Sequence, residues 1–362
     1  MRVTDFDYEL PEELIAQYPL DRRDAARMLV VERAQGHWRD SAFSELPAEI
    51  AAGDVIVINN TRVFPARLTG RREPTGGRVE LLLLRRHEAR SHSQIENKTQ
   101  ACDESRQWVV LARPARRLEI GTRISFGEGR LRAEVLGAFD DGQRLVRFAC
   151  DDDFDALLEE VGQTPLPPYI RRSGADAPVE DRERYQTIYA QRRGAIAAPT
   201  AGLHFTRRVL DELQARGVHL AEVTLHVGYG TFAPVRVDDL SAHQVAPERY
   251  EIDGAAAASI NNAKKRGRRI IAIGTTTVRA LESAVDAAGR VAASAGETCL
   301  TITPGHQFRA VDALLTNFHL PRSSLLVLVG AFAGRELALA AYAHAVKSRY
   351  RFYSYGDCML IS

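Results

Sequence analysis

Between Thr206 and Val227 the apolar positions change period. Val209, Leu210 and Leu213 lie on one side of a helix, with Thr206 where an N-cap hydroxyl belongs and Gly217 where the chain can leave the helix. Ala221, Val223, Leu225 and Val227 then alternate, which predicts a strand carrying Glu222, Thr224 and His226 on its opposite face. Similar patterns predict strands in MLVVER (28–33) and DVIVI (54–58) and a short helix in PEELIAQYP (11–19). Helices are predicted in AAAASINNAKKRG (255–267) and ELALAAYAHAVKSRY (336–350), and a strand–glycine–threonine–helix unit in RRIIAIGTTTVRALESAVDAAG (268–289). Tyr185, Ile188 and Tyr189 recur at helical spacing and predict a core stripe. SAHQVAPERYEID (241–253) reads as irregular, and the apolar run after Ser323 and Ser324 predicts a buried strand.

From Arg62 to Cys150 helical periodicity gives way to short strands, RVELLLLRR, QWVVLARP, GTRISF, RLRAEVLG and QRLVRFAC, separated by glycine, proline and charged turns. That spacing predicts a small all-β barrel. The expected fold is α/β: a barrel-like α/β main domain made of residues 1–62 and 151–362, with an all-β barrel domain inserted at 63–150. Within the insert, His87–Ser105 is polar and free of aromatic residues and reads as a long hairpin loop. QTPLPPYIRR (163–172) reads as an extended linker.

At 362 residues two domains are expected, and 45% hydrophobic with 26% charged residues is the composition of a globular chain. The net charge of +1 carries no footprint of a polyanion, but the distribution fits one, as it fits a solvated arginine-rich surface: arginines crowd between 62 and 123, and KKRGRR stands at 264–269. Cys102, Cys150, Cys299 and Cys358 have no CxxC or Cys–His spacing, which argues against zinc, an iron–sulfur cluster or a disulfide framework. No basic-then-apolar leader opens the chain and no apolar run approaches the length of a membrane span, so a cytoplasmic location is expected.

Two loops, PTAGLHF (199–205) and HVGYGTF (226–232), flank the helix–strand pair and are rich in glycine, which lets a ligand approach the backbone. Of the ten histidines, His37, His87, His92, His219 and His344 sit in ordinary helix, strand or polar contexts. His204, His226, His243, His306 and His319 sit in loops among Gly, Pro and Thr, with no HxH or HxxxH spacing to suggest a metal. Asn59, Asn60, Thr61 and Arg62 end a buried strand, a frequent position for ligand contacts and equally for an Asx turn. Gly274-Thr275-Thr276-Thr277 makes a helix N-terminus suited to an anion, or simply capped by threonine; Walker A and GxGxxG motifs are lacking. Two classes stay open on residues alone: an enzyme acting on a nucleotide-like ligand, and a nucleic-acid-binding module using the arginine-rich insert.

The segments NNTRVFPARL (59–68), GAIAAPTAGLHFT (194–206), EVTLHVGYGTFAPVR (222–236), IAIGTTTVRALES (271–283) and TNFHLPRSSLLVLVGAFAG (316–334) decide between them. In this order, and with the chain from FDYELPEELIAQYPL to YRFYSYGDCMLI, they resemble the S-adenosylmethionine:tRNA ribosyltransferase-isomerase family of queuosine biosynthesis. The resemblance implies transfer of the ribosyl unit of S-adenosylmethionine to 7-aminomethyl-7-deazaguanine at the wobble position of tRNA, with adenine and methionine released and epoxyqueuosine formed. It implies no metal and no cofactor beyond the co-substrate S-adenosyl-L-methionine; a monomer is expected. The alternatives are a non-catalytic tRNA-binding protein and an S-adenosylmethionine-dependent tRNA methyltransferase.

Such chemistry asks for a base beside the sulfonium and an acid for the departing adenine. By matching motif the candidates are His204, His226, Glu222, His306 and His319. Thr275, Thr276, Thr277 and Arg279 are candidates for anchoring a carboxylate or phosphate, and Tyr229 and Phe232 for offering aromatic faces. Asn60, Thr61, Arg62, Thr200, Gly228, Gly230 and Asn317 complete the expected substrate contacts. Arg71, Arg72, Arg116 and Arg117 are expected on tRNA phosphates. The polar loop 87–105 is longer than the family pattern.

Overall fold

Val55–Asn59, Ile270–Ile273 and Ala313–Asn317 are strands in which every residue is buried. Runs of that kind belong in a parallel sheet covered on both faces. In the computed structural model, which describes residues 1–87, 106–172, 179–232, 235 and 237–362, they form the middle of a nine-stranded sheet. Its order is Ser294–Thr298, Glu248–Ile252, His219–Leu225, Val55–Asn59, Ile270–Ile273, Ala313–Asn317, Cys358–Ile361, Arg27–Glu32, His37–Ala42. The four strands from His219–Leu225 to Ala313–Asn317 run parallel. Their carboxyl ends, Leu225, Asn59, Ile273 and Asn317, therefore lie along one edge. Glu248–Ile252 and Cys358–Ile361 flank this set antiparallel to it.

The sheet belongs to a compact unit of Met1–Arg62, Pro167–Ser173 and Glu183–Ser362. One core cluster joins Val30, Phe43, Ile56, Ile58, Ile271, Ile273 and Leu315 to Phe205, Val209 and Leu213 of the loop and helix before His219. The predicted cap is present: Thr206 accepts from the Val209 amide, and Gly217 leaves the Arg207–Ala215 helix with φ +80°.

Some local readings are corrected. Leu325–Ala333 lies in the helix Ser324–Ala333, with Ser323 as N-cap accepting from the Leu326 amide. A buried apolar run of nine residues has no polar face to reveal its period, so strand and helix look alike in it. Glu12–Leu14 is only a 3₁₀ turn. Tyr185 and Tyr189 are buried but Ile188 is exposed, because the helix there stops at Arg184. Glu248–Ile252 is a strand, buried at both ends.

A second unit comprises Val63–Leu166 and residues 174–182. Its centre is a closed barrel of six antiparallel strands in the order Gln143–Ala149, Gln107–Arg113, Arg78–Arg86, Arg67–Glu73, Arg123–Phe126, Leu131–Ala138. Leu68, Val79, Leu81, Leu83, Ile124, Leu131, Val135, Val146 and Phe148 fill it. Arg67–Glu73 carries no alternating apolar signal, since one of its inward positions is Gly70. A Cβ there would lie 2.5 Å from Phe126 Cδ1 and from the Ser125 carbonyl, so the glycine is what lets the strands close. The expected class, α/β with an inserted all-β barrel, is the architecture found. The loop expected at 87–105 lies outside the described residues except for His87. No single helix among the described residues is long and apolar enough to cross a membrane.

Candidate active site

Open α/β sheets bind ligands beyond the carboxyl ends of their parallel strands, and here each of the four strands releases polar residues at that edge. Asn59 organises them. Its Nδ2 donates to the Leu225 carbonyl (2.9 Å) and Thr276 Oγ1 (3.4 Å), and its Oδ1 accepts from the amides of Thr61 (3.1 Å) and Leu225 (3.0 Å). One fully buried amide thus ties two parallel strand ends to the helix that follows a third strand.

On one side of Asn59 is a pocket with about 480 Å³ of empty space, part of it open to solvent. Thr200, Thr275, Thr276, Thr316, Asn317, His319 and Ser354 are its polar lining, and Tyr169, Phe318 and Tyr353 its aromatic walls; among the described residues no Asp, Glu, Lys or Arg lines it. Asn317 Nδ2 donates to His204 Nε2 (3.2 Å) and to the Tyr353 carbonyl (3.1 Å). Asn317 is 1% exposed, yet its Oδ1 has no hydrogen-bond partner. Leaving a buried acceptor unpaired costs about 1–3 kcal/mol. His319 Nε2 lies 2.9 Å from Thr316 Oγ1. Burial pushes His319 down to about 3, and burial with the nearby Arg23 and Arg351 charges pushes His204 down to about 4. Both imidazoles are neutral at pH 7 and act as hydrogen-bonding groups.

On the other side is a second cluster. Asn60 Nδ2 donates to Glu222 Oε2 (2.9 Å), and Thr224 Oγ1 donates to Asn60 Oδ1 (2.7 Å). Next along the chain, Thr61 Oγ1 lies 2.8 Å from His226 Nδ1 and 3.4 Å from the Arg192 carbonyl. A hydroxyl donating to that carbonyl accepts from Nδ1–H, which leaves the lone pair on Nε2. Burial and then the Arg249 charge lower the pKa of His226, so its imidazole is neutral too. Gly194 lies against the ring: a Cβ at 194 would sit 2.6 Å from His226 Cε1.

Other expected residues are placed elsewhere. Arg279 is buried, with one guanidinium nitrogen on Glu248 and Nε donating to the Leu300 carbonyl at 3.0 Å. Its charge is already matched, although it also lines a neighbouring pocket with Thr275, Thr276 and His243. Thr277 Oγ1 donates back to the Ile273 carbonyl at 2.7 Å. His306 stands 3.6 Å from Glu282 Oε2 and against Phe308, in neither pocket. Arg62 and Tyr229 are exposed; the amide of Gly228 donates to Glu248 Oε1 at 2.7 Å, and Gly230 follows in the same turn. The Phe232 side chain lies outside what is described. Sequence reasoning missed Glu248, Tyr169 and Tyr353, and left Asn59 open between a ligand contact and an Asx turn. Only Asn59 carries a signal, as the first polar residue after DVIVI; Tyr353, at φ +74°, is set by tertiary packing.

The model of the family described as queuosine biosynthesis protein matches residues 3–361. Among solved structures, the S-adenosylmethionine tRNA ribosyltransferase of Thermotoga maritima is similar at 36% sequence identity, over 99% of this chain and 100% of that one, with a TM-score of 0.54.

Proposed function

Because this chain belongs to the queuosine biosynthesis protein family, we propose that it is an S-adenosylmethionine:tRNA ribosyltransferase-isomerase. It moves and isomerises the ribosyl unit of S-adenosylmethionine onto 7-aminomethyl-7-deazaguanine at the wobble position of tRNA, giving epoxyqueuosine and releasing adenine and methionine. S-adenosylmethionine is the sole co-substrate, and the enzyme acts as a cytoplasmic monomer.

The observation that carries this reading is the uncharged, aromatic-walled pocket at the strand ends, with its unpaired Asn317 acceptor. Adenine offers a flat face to the tyrosines, an exocyclic amine to Asn317 Oδ1, and ring nitrogens to the hydroxyls of Thr200, Thr275 and Thr276. His204, neutral and accepting from Asn317 Nδ2, is a positioning residue that turns Oδ1 outward. The sulfonium acidifies the neighbouring C–H, and a neutral imidazole with a free lone pair is a base that can take that proton. His226 fills that role, oriented by Thr61, with Glu222 beside it.

Purified protein, tRNA bearing 7-aminomethyl-7-deazaguanine and S-adenosylmethionine should yield epoxyqueuosine with equimolar adenine and methionine by mass spectrometry. S-adenosylhomocysteine in their place would make the chain a methyltransferase, and binding of tRNA without either outcome would make it a non-catalytic binder. A further expectation concerns Gly194. In Gly194→Ala the new methyl displaces the His226 ring from Thr61, and turnover should fall by about 10²-fold, the cost of a misplacement near 1 Å, with some loss of thermal stability because φ at Gly194 is +158°. An unaltered rate would remove His226 from the chemistry.

A further inference from the structure

The outer wall of the barrel carries a row of arginines that the stability of the fold does not explain. On adjoining strands Arg78 stands opposite Arg71, Arg71 opposite Ser125, Ser125 opposite Arg132, and Arg132 opposite Ala149. Residues in register share a face, and Arg71, Arg78 and Arg132 are all exposed. A neighbouring row is built differently: Glu73, Arg123, Glu134 and Arg147 alternate in sign, and Arg147 meets Glu134 at 3.0 Å. Elsewhere in this unit Arg67 pairs with Glu80, Arg86 with Asp155 and Arg130 with Glu160. Among the described residues Arg71, Arg78 and Arg132 have no carboxylate partner; Arg71 donates only to the Gly76 carbonyl, at 3.1 Å.

Like charges directly opposite on adjacent strands destabilise a sheet, so the fold gains nothing from setting Arg71 against Arg78. At about 4.8 Å per strand, Arg78 to Arg132 spans about 14 Å, a line suited to successive phosphates and too long for one carboxylate. Arg72 donates to the Arg117 carbonyl at 3.1 Å, which holds exposed Arg116 and Arg117 beside the same strand. We propose that this row, Arg78–Arg71–Arg132, is the surface on which the barrel docks the phosphodiester backbone of the tRNA. The proposal rests on the tRNA-modifying function above; it adds the place of contact.

The test measures tRNA affinity of the full-length protein as salt is raised from 50 to 200 mM, for the native chain, the triple variant Arg71→Gln/Arg78→Gln/Arg132→Gln, and the same three positions changed to Lys. Each phosphate contact contributes about 0.7–0.9 to the slope of log K against log salt. The Gln variant should therefore show a slope shallower by about 2–3, a raised KM for tRNA, and unchanged kcat at saturating tRNA. The Lys variant should keep the native slope. Melting temperature should hold or rise in the Gln variant, since a like-charge contact is removed; a fall would mark the row as structural and overturn the proposal. A native-like slope in a folded Gln variant would also overturn it, with native turnover leaving the enzymatic reading intact. If the native chain neither bound tRNA nor released adenine, the functional reading would fall first, and this one with it.

Discussion

Replacing His226 with alanine is expected to lower the single-turnover rate by about 10²–10⁴-fold, the usual contribution of a positioned general base. The ring is half-buried, makes one side-chain hydrogen bond through Nδ1, and holds Nε2 free. Melting should therefore move little, because the buried Thr61 hydroxyl keeps the Arg192 carbonyl when the ring goes. Binding of S-adenosylmethionine should also persist, because His226 does not line the pocket beside Asn317. Thr61→Val should give a smaller loss by freeing the ring to rotate. The comparison to make is single-turnover rate against thermal melting for both variants. A His226→Ala protein that melted early and kept its rate would return the base to His319 or His204. Burial pushes His319 down to about 3 and His204 to about 4, which makes both weak bases.

The largest expected effect on stability is at Arg279. Its side chain is 5% exposed and that of Glu248 is 2% exposed, and they pair with each other. Glu248 also receives the Gly228 amide at the start of the HVGYGTF turn. Arg279→Met keeps the volume but takes the guanidinium away from a buried carboxylate, which costs about 3–5 kcal/mol. Glu248→Gln in the same chain should restore part of that loss, since a neutral amide can still accept from Gly228. Urea unfolding of the two single variants and the double variant measures the coupling. A loss below about 1 kcal/mol for Arg279→Met would mean that the pair is not what holds this turn, and would return Arg279 to the role of ligand anchor.

Much was legible in the chain because the signals are local. The Arg207–Ala215 helix and the His219–Leu225 strand are set by side-chain period, the Thr206 cap and Gly217, all within about twenty residues. Most strands of the barrel are equally plain, and the glycine- and threonine-rich loops mark the edge where the pocket lies. What stayed hidden has a common physical cause. Asn59 meets Thr276 across 217 residues of chain, Thr61 meets His226 across 165, and Asn317 meets His204 across 113. Those partnerships follow from the order in which parallel strands pair, and that order is settled by which buried faces fit together. Burial itself decides that His204 and His319 are neutral, that Arg279 is spent on Glu248, and that His306 stands apart with Glu282. The chain carries the chemical groups; only packing decides which of them share a pocket and which balance each other's charge.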